Sequence, residues 1–71
     1  MDAPYYDREA DVAYFPVGES DDVVTEVVYG FGIDRDARTG ATVGIEIPNA
    51  NLRLPSRVLQ ALPQPPRPDP E

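Results

Sequence analysis

The chain has no cysteine, no histidine and no lysine, and each absence removes chemistry. Without cysteine there is no disulfide, no thiolate metal site and no thiol nucleophile. Without histidine there is no imidazole ligand, no Ser-His pair and no imidazole proton shuttle. A general acid or base would have to be a carboxylate or a tyrosine. With no lysine, and no glycine-rich run leading from a strand into a helix, Gly30, Gly32 and Gly40 make no phosphate cradle, and hairpin geometry accounts for them better. A long apolar run is missing too. Nothing approaches the roughly 18 residues of a membrane span, and MDAPYYDRE carries no basic region followed by an apolar block. The expectation is a cytoplasmic protein with no membrane contact and no cofactor.

Cations are scarce. Six basic residues, all arginine, stand against 13 acidic ones, for a formal charge of −7. Such a charge repels nucleic-acid phosphates and anionic membranes at long range, so direct nucleic-acid binding is not expected and a basic protein is the favoured partner. Arginine without lysine, beside abundant Ala, Val, Asp and Pro, points to a GC-rich bacterial genome. The 71 residues suffice for one domain at most. A chain this short buries only about 60% of the surface its unfolded form exposes. With neither disulfide nor metal to staple it, partner binding or self-association is the remaining stabiliser.

Along the chain, DVAYFPV alternates as a strand does, with Pro16 at its end or on an edge. GESDD, Gly18 to Asp22, reads as a solvated loop. The β-branched run from Val23 to Val28 favours a strand, although Val23, Thr25 and Val27 on one face and Val24, Glu26 and Val28 on the other leave the buried side undecided. Gly30 and Gly32 mark a bulge, a bend or a close backbone approach, and Phe31 and Ile33 are expected in the core. DRDARTG closes with Thr39-Gly40 as a hairpin turn. In the returning strand Val43, Ile45 and Ile47 share an apolar face opposite Thr42, Gly44 and Glu46. Leu54, Val58, Leu59 and Leu62 recur at near-helical spacing after Pro55 and Ser56, and Pro63 stops that helix. Five prolines from Pro63 to Glu71 predict an extended, disordered tail. The pattern predicts a single α+β domain over residues 1–62: about four antiparallel strands in a meander, near 3–7, 11–17, 22–34 and 41–48, a short helix at 55–62 packed on the sheet, and a tail at 63–71.

Tyr6, Asp7, Asp11 and Tyr14, followed by an acidic loop and then by the run Val43, Gly44, Ile45, Glu46 and Ile47, resemble the pattern of a small bacterial and archaeal family catalogued as domain of unknown function 2283 (DUF2283). The likeness covers about residues 5–50. Arg8 stands where that family usually has proline, which loosens the turn, and Pro16 is a proline its second strand usually lacks, which shortens the strand. The resemblance implies a small antiparallel meander with a short helix, and no activity. By association with small toxin-like neighbours it implies an antitoxin-like or accessory role.

Asp7, Glu9 and Asp11 have the alternate spacing that opens a calcium loop, and weak divalent-cation binding there is one reading. The sixth place of such a loop needs glycine and holds Val12, while the twelfth needs glutamate and holds Gly18. A solvated turn is the better account, with Asp7 accepting N–H groups just downstream and Asp11 closing it. Glu26 and Glu46, inside strands and opposite apolar faces, are expected to be exposed or paired with Arg53 or Arg57 rather than desolvated as an acid–base pair. The tyrosines Tyr5, Tyr6, Tyr14 and Tyr29 lack the cationic groove that base stacking requires, and PPRP is read as part of the frayed end. The function expected is therefore a non-enzymatic acidic module that binds a basic protein, with Asp21, Asp22, Glu26 and the helix as contact surface. The alternative is a homodimer that pairs strand edges or helix faces.

Overall fold

Tyr5–Asp7 (β1) and Val12–Pro16 (β2) form an antiparallel hairpin around the first acidic turn. The structure is a computed structural model that describes residues 3–65. A loop leads to Val23–Val28 (β3), Phe31–Asp36 (β4) and Thr42–Pro48 (β5), followed by Ala50–Arg53 (α1) and Ser56–Ala61 (α2). The protein is predominantly β: a five-stranded antiparallel sheet with two short helices.

The strand order is β1-β2-β5-β4-β3. This corrects the expected four-strand meander in two ways. The stretch 22–34 is not one strand, because Tyr29 (φ 51) and Gly30 (φ 80) turn the chain back on itself so that Val28 faces Phe31. Two successive positive φ values make the type I′ turn whose twist matches a hairpin. Then β5, rather than β3, comes to lie beside β2, giving β2 to β5 a Greek-key path. The β4–β5 hairpin falls where Thr39-Gly40 predicts it. Gly40 takes φ 77 and its N–H reaches the Asp36 carbonyl at 2.8 Å.

One face of the sheet carries the small core. Tyr6, Ala13, Ala50 and Leu59 are buried together, with Phe15, Ile47, Leu54 and Leu62 packed around them. Ala13 is fully enclosed, so a larger side chain at that position has no room within the cluster. Phe31 and Ile33 are half-buried rather than central. Phe31 instead carries the Arg53 guanidinium over its ring at 4.6 Å. The expected helix at 55–62 forms as α2. The PNAN stretch, read as a strand terminator, also starts α1, with Asn49 in the left-handed region at φ 53, a conformation its short polar side chain tolerates.

The region after α2 departs from the expected disordered tail at its start. The Pro63 carbonyl accepts the Tyr6 N–H at 2.8 Å and so caps part of the β1 edge. Residues 66–71, the rest of that tail, lie outside the described residues. Among the described residues no helix is long and apolar enough to cross a membrane.

Candidate functional site

The opposite face of the sheet is polar and is organised by Tyr14. Its ring stacks on Tyr5 at a centroid distance of 5.5 Å and reaches across β5, where its hydroxyl donates to Asp34 Oδ2 at 3.1 Å. That crossing is possible because β5 has Gly44 underneath: a Cβ there would lie 2.6 Å from Tyr14 Cζ. Thr25 on β3 donates to the other oxygen, Asp34 Oδ1, at 2.7 Å. One carboxylate thus joins three strands: β2 and β3 donate to it and β4 carries it.

Beside Tyr14 lies a hollow of about 270 Å³ lined by Tyr14, Pro16, Glu19, Ser20, Val23, Asp34 and Val43, among others. Val43 was expected on the apolar face with Ile45 and Ile47, but it lines this hollow. The sheet register slips at Asp34/Arg35, so that Asp34 faces Gly44 while Arg35 faces Thr42, leaving Val43 as the extra residue of a bulge. The loop that rims the hollow is tied to β4. Ser20 donates to Asp36 Oδ2 at 2.6 Å, and its oxygen accepts the Asp22 N–H at 3.0 Å.

Asp36 also caps the β4–β5 turn, with Oδ1 accepting the N–H groups of Arg38 and Thr39, each at 2.8 Å. The Ser20 hydroxyl first, then the Thr39 and Arg38 N–H groups, hold its carboxyl below the ordinary aspartate range. Because the folded value is depressed, Asp36 stabilises the fold at pH above its unfolded value, and this contribution is lost as pH falls through the folded value. Substituting Ser20→Ala removes the leading cause. Carbon-detected NMR titration should then find the Asp36 pKa moved up toward an ordinary aspartate, and an unchanged midpoint would contradict this assignment.

The carboxylates at this end of the sheet come from two segments. Glu19, Asp21 and Asp22 come from the exposed loop, and Asp34 and Asp36 come from alternate positions of β4. The loop acids were expected from the sequence. The β4 pair was not, because DRDARTG reads as a turn from its first residue, although the alternation Phe31, Ile33, Arg35 against Gly32, Asp34, Asp36 continues through it. Glu26 sits on the other face and is exposed, as one of its two expected outcomes has it, but its ion pair is with neither Arg53 nor Arg57. It meets Arg35 Nε at 3.0 Å, with both side chains exposed, whereas Arg53 is engaged with Phe31 and the Gly30 carbonyl. Of the loop acids only Glu19 lines the hollow; Asp21 and Asp22 are exposed in the loop between two of its lining residues, Ser20 and Val23, and Glu26 lies on the opposite face. Ile45 and Glu46 are half-buried in β5, with the Glu46 Cβ close over Gly32.

At the first turn Asp7 Oδ1 accepts the N–H groups of Glu9 and Ala10, at 3.1 and 3.2 Å. Asp11 takes φ 56, and its Oδ1 accepts the Tyr6 hydroxyl at 2.7 Å and the Asn51 N–H at 3.0 Å. That hydroxyl bond to Asp11 is the main reason the Tyr6 phenol is held above its ordinary pKa. The two aspartates face different partners. Among the described residues no group of three acidic side chains is arranged to hold a metal ion.

Comparison with known protein families, with curated proteins and with solved structures found no match.

Proposed function

We propose that the chain is a non-enzymatic acidic interaction module that receives a basic protein at the hollow beside Tyr14. The observation that carries this reading is a hollow with Tyr14 as its aromatic wall and the carboxylates of Glu19 and Asp34 in its lining, next to the exposed loop acids Asp21 and Asp22, with Asp36 tying that loop to β4 through Ser20. A long cationic side chain suits such a place: its stem lies along Tyr14, Pro16 and Val43 while its head meets carboxylates. The −7 charge steers a basic partner toward it. An antitoxin-like neutraliser of a small basic protein is one role with this chemistry, and membership of the DUF2283 family is part of the same proposal.

Tagged full-length chain and its Asp21→Asn/Asp22→Asn variant are compared in pull-downs from native lysate, with mass spectrometry of the eluate. The expected result is a basic protein retained by the original chain and lost from the variant and at high salt. Recovery of no basic protein above background would sink the reading.

A further inference from the structure

The two edges of the sheet are unlike. At β1 the edge is short and the Pro63 carbonyl takes the Tyr6 N–H. At β3 it is six residues long and ends the strand order, and Val23 to Val27 are all exposed, Val27 at 76%. Because Val28 faces Phe31 across a two-residue turn, Val24, Glu26 and Val28 direct their backbone groups to β4. The N–H and C=O groups of Val23, Thr25 and Val27 point out of the sheet. The Asp22 carbonyl, accepting the Ala37 N–H at 2.8 Å, keeps this phase. No proline, lysine or bulge interrupts the strand, and the one charge on it is Glu26.

We propose that β3 is the interface of a homodimer, in which two copies pair this strand antiparallel about a two-fold axis at Thr25. The charges along the strand select the register. Outward groups can meet outward groups over most of the strand in two symmetric ways, Thr25 on Thr25 or Glu26 on Glu26. The second sets two carboxylates directly opposite each other, which is destabilising. The first places Glu26 opposite Val24 of the second copy and Asp22 opposite Val28, so no like charges face one another. It also aligns Val23, Thr25 and Val27 of one copy with Val27, Thr25 and Val23 of the other, each β-branched. Antiparallel pairing leaves the two acidic loops one strand length apart, roughly 20 Å at the rise of a β-strand, which exceeds the Debye length of about 8 Å in physiological salt. A cationic strand from another protein lacks this self-matching pattern as a reason to choose the edge.

The chain has no cysteine, so a single introduced thiol reports the register without background. Sedimentation equilibrium of the full chain should give twice 7.8 kDa at high concentration. Association should strengthen as salt screens the −7 charges. Thr25→Pro, which removes an outward N–H from an edge strand, should return the mass to that of one chain with the circular dichroism spectrum retained. On oxidation Thr25→Cys should cross-link efficiently and Val23→Cys, which faces Val27 of the second copy, should not. A chain that stays monomeric up to about 1 mM, a millimolar dissociation constant marking the weak limit of association, overturns the proposal. So does a dimer unaffected by Thr25→Pro, or one cross-linked equally through Val23→Cys. Salt separates this result from capture of a basic partner, which salt weakens; a heterologous strand on β3 would appear as a complex lost with Thr25→Pro while the chain alone remains a monomer.

Discussion

Gly44→Ala is expected to destabilise the protein by about 2–3 kcal/mol, near the upper end of the usual cost of forcing atoms into a packed site. Gly44 has an ordinary φ, so the cost does not come from its backbone conformation. It comes from Tyr14, whose hydroxyl oxygen and Cζ occupy the place a Cβ would take, 2.6 Å away in the case of Cζ. The ring cannot remain there. If it swings away it gives up the Asp34 hydrogen bond and the stack on Tyr5, both of which tie strands together. In a domain of this length the loss should lower the melting temperature by roughly 10–20 °C. The cause can be isolated with a double-mutant cycle: once Tyr14→Ala has emptied the space, adding Gly44→Ala should cost less than 0.5 kcal/mol, giving a coupling above about 1 kcal/mol. A Gly44→Ala protein as stable as the original would show that Tyr14 does not need this crossing.

Asp11→Ala should cost about 2–3 kcal/mol, more than its neighbour in the same turn. Asp11 Oδ1 accepts both the Tyr6 hydroxyl and the Asn51 N–H, the first from the core and the second from the start of α1. One hydrogen bond to a charged acceptor contributes about 1.5–3 kcal/mol, and because the two here share a single partly exposed oxygen they stand together at the lower end of that range. Alanine at φ 56 adds roughly 1 kcal/mol for a left-handed conformation, of which part is relieved by local relaxation. Asp11→Asn keeps an acceptor and tolerates that φ, so it should lose less than half as much. Asp7 caps only two N–H groups of its own turn, and Asp7→Ala should cost about 1 kcal/mol. Urea denaturation of the three variants would rank them. Equal losses for Asp7→Ala and Asp11→Ala would remove the link between the turn and α1.

That ranking also marks where sequence reasoning reached its limit. Asp7 acts locally, on residues two and three positions away, and spacing alone predicts it. Asp11 acts on Asn51, 40 positions along the chain, and no local pattern announces a contact that depends on β5 returning beside β2. Likewise the Thr39-Gly40 turn is legible because glycine stands where φ is positive. At Tyr29-Gly30 the same geometry is half-hidden by a tyrosine at φ 51, a position where the side chain is disfavoured and asparagine would be the usual sign. The run from Val23 to Val28 offered no apolar face to choose because neither face is deeply covered: it is an edge. The acidic loop was visible as composition, but Asp34 and Asp36 join it only through the alternation of β4, the Ser20 bond and the Tyr14 crossing over Gly44.

Titration of a short arginine-rich peptide into the isotopically labelled full chain, followed residue by residue in amide NMR spectra, tests the central claim most directly. An acidic hollow that receives a basic partner predicts saturable shifts concentrated on Gly18 to Val23, Asp34 and Asp36, weakened by added salt and by Asp21→Asn/Asp22→Asn. Shifts confined to Asp7, Glu9 and Asp11, or no saturable shifts at low salt, would contradict it.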